Sequence, residues 1–288
     1  MDALLKMILT LFAEGESKYI MSPLPQRESK YIIVPPCTRG DLRGVKSYGQ
    51  TTFNALGLVL SCTSQKFDRV CLFLDKVPEL YIGFLGVLKT GAIAEPLFSA
   101  FGEEALVARM LDSRATAIIT QKRHVGKVRK VRDRLPDLKT IIVIDHDEDG
   151  RQLKDGEIAY RMMGHRVDEC VIASTYAETP SVLHYTSGTT GAPKGAMHVH
   201  GSVFAQYLTT KMVLDVRDED IYWCTTDPGL VTGTSYGIIG PWVMGATQVV
   251  LDAGFSSDRW YATIERHHIT VWYTAPTAIR MLMRDGLE

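Results

Sequence analysis

Val182-Leu183-His184-Tyr185-Thr186-Ser187-Gly188-Thr189-Thr190-Gly191-Ala192-Pro193-Lys194-Gly195-Ala196-Met197 is the stretch on which the reading of this chain turns. It opens as an apolar strand and passes through a loop holding three glycines, four hydroxyl residues and one lysine. It then runs into an apolar pattern that predicts a helix from about Val199 to Leu208. Glycines let successive backbone N–H groups converge on one point, the hydroxyls of Thr186, Ser187, Thr189 and Thr190 add donors, and Lys194 adds charge. Together these make an anion cradle. It is not a Walker A loop, because Gly188 and Gly191 enclose two residues rather than four and Gly195, not Ser or Thr, follows Lys194. A plain surface loop explains the Gly and Thr content but not the Pro193-Lys194-Gly195 close.

Upstream and downstream of this loop, short apolar runs alternate with helical patterns, the signature of a layered α/β fold with parallel strands. The expected strands are Val70 to Leu74, Ala117 to Thr120, Ile141 to Asp145, Val182 to Tyr185, Gln248 to Leu251 and Val271 to Tyr273. Pro78 can open a helix whose Leu80, Phe84, Val87 and Leu88 recur at helical spacing and which Gly91 ends, and a second is expected from about Glu103 to Ser113. Residues 122 to 134 carry seven Lys and Arg, with Val125, Val128, Val131 and Leu135 at helical spacing. That pattern reads as a solvated helix docked by its valines rather than an anion site. The first 47 residues differ: Ser17-Lys18-Tyr19-Ile20 recurs as Ser29-Lys30-Tyr31-Ile32 amid Pro23, Pro25, Pro35 and Pro36, and prolines are expected to keep that segment irregular and loosely attached.

Composition sets the class. With 45% hydrophobic and 23% charged residues and a formal net charge of -1, the 288 residues describe a globular chain without the basic surface that nucleic acid needs. Lys89 and Glu95 interrupt one long apolar stretch and Lys6 another, so no membrane span is expected. The opening Met1-Asp2-Ala3-Leu4-Leu5-Lys6 lacks the pattern of a secretory signal, which predicts a cytoplasmic protein. Five cysteines, widely spaced and without a CxxC pair, fit reduced core thiols and neither a disulfide framework nor a zinc site.

Tyr185 to Gly195 resembles the phosphate-binding signature (Y-T-S-G-T-T-G-x-P-K-G) of the adenylate-forming superfamily, which includes acyl-CoA synthetases, luciferases and peptide-synthetase adenylation domains. Tyr222-Trp223-Cys224-Thr225-Thr226-Asp227-Pro228-Gly229-Leu230-Val231-Thr232-Gly233-Thr234-Ser235-Tyr236 and Trp272-Tyr273-Thr274-Ala275-Pro276-Thr277-Ala278-Ile279-Arg280 are similar to acetyl-CoA synthetases. The likeness takes in Val70 to Leu97 and runs from about residue 48 to the end. It implies mostly parallel sheets flanked by helices, as part of a large amino-terminal domain: a first lobe over 48–180 and the start of a second over 181–288, after a poorly matched segment 1–47.

The reaction so implied has two steps. A carboxylate attacks the α-phosphate of ATP with loss of pyrophosphate, and the thiol of coenzyme A then captures the acyl adenylate. The resemblance assigns the ATP phosphates to Thr186, Ser187, Gly188, Thr189, Thr190, Gly191, Lys194 and Gly195, with Mg²⁺ near Thr186, and the acyl pocket to Val231 and Thr232. It also places Ala275 and Ala278 beside the coenzyme A tunnel, although these residues read equally as a strand-to-helix connection. A small pocket suits acetate, but packing against one methylene discriminates by only about 1–3 kcal/mol, so propionate stays open. Leu230 stands where the family usually has Trp. The Gly-Glu-Pro adenine segment, the Trp-x-Thr-Glu motif, the ribose-binding Asp and the carboxyl-terminal domain with the catalytic Lys have no counterpart in the sequence. The expectation is therefore a partial chain inactive alone, or a non-catalytic phosphate-binding half that needs a separately encoded second polypeptide. Outside these motifs, His198 and His200 are expected on different helix faces, which speaks against a metal pair, and His267-His268 at a helix end. Asp227 serves a turn or a site.

Overall fold

The computed structural model describes residues 19–22, 31–34, 46–48, 66–145, 153–160, 172–187 and 191–285. Three short strands come first: β1 (Tyr19–Ser22), β2 (Tyr31–Val34) and β3 (Lys46–Tyr48). The two Ser-Lys-Tyr-Ile copies thus supply the starts of β1 and β2, which pair antiparallel with Ile20 opposite Ile33 and Met21 opposite Ile32. This corrects the expectation that prolines leave the segment without regular structure. Pro23, Pro25, Pro35 and Pro36 lie outside the described residues.

The chain forms two compact units, one of Met1–Leu5, Gln50–Ser202 and Gly229–Val231, the other of Lys6–Gly49, Val203–Pro228 and Thr232–Glu288. The first holds β4 (Arg69–Phe73), β5 (Ile93–Pro96), β6 (Ala117–Thr120), β7 (Thr140–Val143), β8 (Glu157–Ala159), β9 (Pro180–Ser187) and β10 (Pro193–Val199) in the order β10-β9-β5-β4-β6-β7-β8. Neighbours are parallel except β10, which runs antiparallel to β9. Helices α1 (Pro78–Lys89), α2 (Glu103–Ser113) and α3 (Lys122–Val131) connect the parallel strands, which is the crossover a parallel pair requires. Strands covered on both faces read as unbroken apolar runs, and Val70, Cys71, Leu72 and Phe73 are fully buried.

The basic segment behaves as its valines suggest. Val125, Val128 and Val131 are buried in a core with Phe73, Leu106, Met110 and Ile118. Its charges meet carboxylates: Arg129 with Glu157 at 2.7 Å, Lys130 with Glu103 at 2.8 Å, Arg134 with Glu104 at 2.6 Å and Arg123 with Asp75 at 2.8 Å.

The second unit continues β1–β3 into a six-strand sheet of order β13-β11-β12-β2-β1-β3, adding β11 (Ile221–Cys224), β12 (Thr247–Leu251) and β13 (Val271–Tyr273). The three later strands are parallel, and β2 joins them antiparallel to β12, Ile33 opposite Val249. Helices α4 (Ser202–Met212), α5 (Val231–Thr234) and α6 (Gly240–Met244), with a π-turn over Ser235–Ile239 between the last two, precede β12. Helices α7 (Ser257–His267) and α8 (Pro276–Asp285) follow it. Trp223 stacks on Trp272 at 6.0 Å while Trp260 meets Trp223 edge-on at 5.3 Å, a packed aromatic core between strand and helix.

Candidate functional site

The strands on either side of the glycine-rich stretch pair as a β-hairpin. Strand β10 returns antiparallel along β9 with Pro193 opposite Ser187, Lys194 opposite Thr186 and Gly195 opposite Tyr185. The helix expected from about Val199 is corrected: Pro193–Val199 is a strand, and the helix begins at Ser202. Residues directly opposite in a ladder share a sheet face, so Lys194 and Thr186 stand side by side, and both are exposed. Gly191 sits at φ +87, a conformation that favours glycine. Gly188, Thr189 and Thr190 lie outside the described residues, and for Ser187 the backbone alone is described.

The base of the hairpin is tied to α2. The Tyr185 hydroxyl donates to Asp112 Oδ2 at 2.6 Å. The Arg109 guanidinium lies 4.1 Å from the Phe101 ring centroid and 5.9 Å from that of Tyr185, a cation between two aromatic faces, and its Nη1 donates to the Ala105 carbonyl at 2.9 Å. A Cβ at position 195 would stand 3.4 Å from the Tyr185 ring and 3.2 Å from Leu183, so glycine there lets that ring lie against the return strand. Burial first, then the bond to Asp112, pushes the Tyr185 phenol far above its ordinary range and keeps its proton in place.

Beneath Tyr185, on β5, lies Glu95. It is fully buried, and neither carboxylate oxygen has a hydrogen-bond partner among the described residues. Its carboxyl is pushed up to about 8 by burial, against the opposing pull of Ser113, Cys71, Arg69 and Arg109. Burial, and then Glu95 itself, raises the neighbouring Cys71 thiol as well. The sequence reading registered Glu95 only as a charge breaking an apolar stretch; a lone acid inside Ala92-Ile93-Ala94-Glu95 was the signal available.

On the other side of β9, His184 is buried with both ring nitrogens unpartnered among the described residues, its ring centroid 5.8 Å from that of His198. Burial, then His198, lowers its pKa to about 4, which leaves it neutral. His198 lies in β10 and His200 just after it, not on a helix, so the argument from helix faces does not apply. Among the described residues no group of three or more His, Cys, Asp or Glu could hold a metal ion. His267 ends α7 as expected and His268 caps it at φ 50.

At the carboxyl ends of the neighbouring strands β4 and β6, which flank the point where the chain steps to β5 and returns across β4, Asp75 gathers a cluster that the sequence did not single out. Its Oδ1 lies 3.0 Å from His124 Nε2, its Oδ2 accepts from Gln121 at 2.8 Å, and Arg123 Nη1 is 2.8 Å away. Burial alone would raise this carboxyl; the His124 bond and charge, then Arg123 and Gln121, outweigh it and hold it low.

The remaining candidate positions are placed as follows. Gly229 is required because a Cβ there would collide with the Leu97 and Phe98 backbone. The Asp227-Pro228 turn is closed by Gly233, whose Cα faces the Asp227 carbonyl, and by the Thr234 hydroxyl, which donates to the Pro228 carbonyl at 2.6 Å. Leu230 and Val231 are exposed and Thr232 half-buried at the start of α5. The Ala275 carbonyl accepts the Ala278 N–H at 2.9 Å and so caps α8, and Ala278 is buried in the core with Trp223 and Trp260.

The fold is that of solved acyl-CoA synthetases. A Brucella canis acyl-CoA synthetase superposes with a TM-score of 0.75 at 26% identity, over 84% of this chain and 44% of that one. The anthranilate CoA ligase AuaEII, solved with anthranoyl-AMP, superposes with a TM-score of 0.71 at 26% identity, over 79% and 43%. Residues 50–288 match the AMP-binding enzymes, and the chain belongs to that family. It is 45% identical over 225 residues to the acetyl-coenzyme A synthetase of Bacillus subtilis, covering 78% of this chain and 38% of that protein. With the acetyl-coenzyme A synthetase of Pyrobaculum arsenaticum the identity is 38% over 257 residues, again 38% of that protein's length. The chain thus spans under two fifths of the length of these two acetyl-coenzyme A synthetases. Among the described residues, no helix is long and apolar enough to cross a membrane.

Proposed function

We propose that this chain carries the phosphate-holding part of an ATP-dependent acyl-CoA synthetase of the acetate type. The observation that supports this most is the hairpin in which Thr186 and Lys194 face each other across a Gly/Thr turn, within a chain 45% identical to an acetyl-coenzyme A synthetase. In this reading a short carboxylate, acetate or propionate, attacks the α-phosphorus of ATP, the bond to the bridging oxygen breaks, and pyrophosphate leaves. Coenzyme A sulfur then attacks the acyl carbon, and AMP leaves with the former carboxylate oxygen.

Lys194 supplies charge toward the departing phosphates and the hydroxyls of Thr186, Ser187, Thr189 and Thr190 supply donors, while Gly188, Gly191 and Gly195 let the backbone approach. Catalysis of this kind is positioning and charge stabilisation, strongest where water is excluded. Mg²⁺ neutralises phosphate charge in such chemistry. In this reading it arrives with ATP and sits near Thr186. Val231 and Thr232, at the start of α5, face the acyl group, and Ala275 with Ala278 border the path of the coenzyme A thiol.

The test is acetate-dependent exchange of labelled pyrophosphate into ATP by the purified chain, with Lys194→Ala as control. Exchange that disappears in the control supports adenylation. ATP binding without exchange supports the second reading, a phosphate-binding half completed by another polypeptide. A folded chain that binds neither ATP nor pyrophosphate overturns both.

A further inference from the structure

Glu95 stands out among the described carboxyls of the first unit. It is 0% exposed in the middle of a parallel sheet, beside Cys71 on β4, and neither oxygen makes a hydrogen bond of ordinary geometry among the described residues, with the Ser113 hydroxyl and the Cys71 thiol as its nearest polar neighbours. Buried acids are ordinarily hydrogen-bonded, and an orphaned one points to a role beyond packing. A second orphan lies nearby: Arg109 Nε is buried without a partner among the described residues, although the same guanidinium stacks on Phe101 and reaches Tyr185. An acid and a base, both incompletely satisfied, thus flank the ring that anchors the hairpin.

We propose that Glu95 is a proton-controlled latch under the phosphate hairpin: neutral, it leaves Arg109 between Phe101 and Tyr185; ionised, it draws Arg109 away and loosens β10. The groups facing Glu95 set the direction. From β4 come Cys71 and Arg69, from α2 come Ser113 and Arg109, and from β9 comes Tyr185, whose hydroxyl is committed to Asp112. Cys71 and Tyr185 hold their protons, so a carboxylate at 95 meets no nearby acceptor of charge except the two arginines. Arg69 is already bonded to the Ser113, Phe67 and Arg114 carbonyls, which leaves Arg109, with its unused Nε, as the group that moves. The proton passes to water. Once Arg109 turns, Tyr185 loses the cation on its face, and the ring against which Gly195 rests is held by Asp112 alone.

The effect on ligands rests on the phosphate reading of the hairpin; the latch itself does not. It is tested by amide hydrogen exchange at pH 6.5 and 9.0, corrected for the intrinsic pH dependence, in the native chain and in Glu95→Gln, with Glu95→Met as a second uncharged variant. Exchange across Pro193–Val199 is expected to speed up at pH 9.0 about tenfold more than exchange across Thr140–Val143, in the native chain only. Equal behaviour of native and uncharged chains overturns the latch, and so does equal loss of protection in both segments, which marks general destabilisation. ATP titrations at pH 7.0 and 9.0 form the second arm. Absence of ATP binding at either pH, with the exchange pattern present, overturns the phosphate reading and leaves the latch standing.

Discussion

The centre and the edge of the seven-strand sheet obey opposite rules. At the centre, β4 is sealed on both faces and its side chains are chosen by packing, as Val70 to Phe73 show. At the edge, β10 leaves Lys194, Gly195, Ala196 and Met197 exposed, so packing chooses almost nothing and chemistry is free to choose. Between them lies β5, where the rules meet in Glu95. The lesson is that, on the proposed reading, stability and ATP binding are separable in this unit and should respond to different substitutions.

The largest effect should come from breaking the centre. Phe73→Ala removes a fully buried ring from a core with Leu106, Met110 and Ile118 and should cost about 3–5 kcal/mol in urea unfolding. Glu95→Gln should act with pH. The folded carboxyl, at about 8, lies above its ordinary value of 4.5. The stability that this carboxyl contributes is therefore fully present below about 4.5 and is lost as pH rises toward and through 8, because the unfolded chain releases the proton first. The Tm of the variant should exceed that of the native chain by several degrees at pH 8.5, with the gap closing toward pH 5. A constant gap contradicts the assignment.

At the edge, Lys194→Ala should weaken ATP binding about 10- to 100-fold, the range for a lost charge-assisted bond, while moving stability by less than about 0.5 kcal/mol. Smallest of all, Lys130→Ala deletes a pair whose lysine is 71% exposed and should cost no more than about 0.5 kcal/mol by double-mutant cycle with Glu103→Ala.

The same contrast explains what was legible in the sequence. Ala117–Thr120, Val271–Tyr273 and Glu103–Ser113 appear where their patterns place them, since apolar runs and helical spacing are imposed by burial. The return strand β10 was not legible. Pro193-Lys194-Gly195 carries no apolar alternation on an exposed edge, and the apolar residues from Val199 on drew the helix forward. Strand β5 hid as a four-residue tail of the longer apolar stretch from Tyr81 to Phe98, and β8, with three residues, is too short to show a period. The Gly/Thr-rich motif itself was plain, because its glycines, hydroxyls and lysine break the apolar patterns on either side of it. Its anchors, Asp112 and Arg109, could not be read, since they meet Tyr185 only through the fold.

The most direct test of the central claim is an equilibrium titration of the folded chain with ATP, native against Lys194→Ala, with circular dichroism confirming that both are folded. The account predicts saturable binding by the native chain and at least a tenfold loss in the variant at unchanged Tm. Equal affinity of the two, or no binding by the folded native chain, would contradict it.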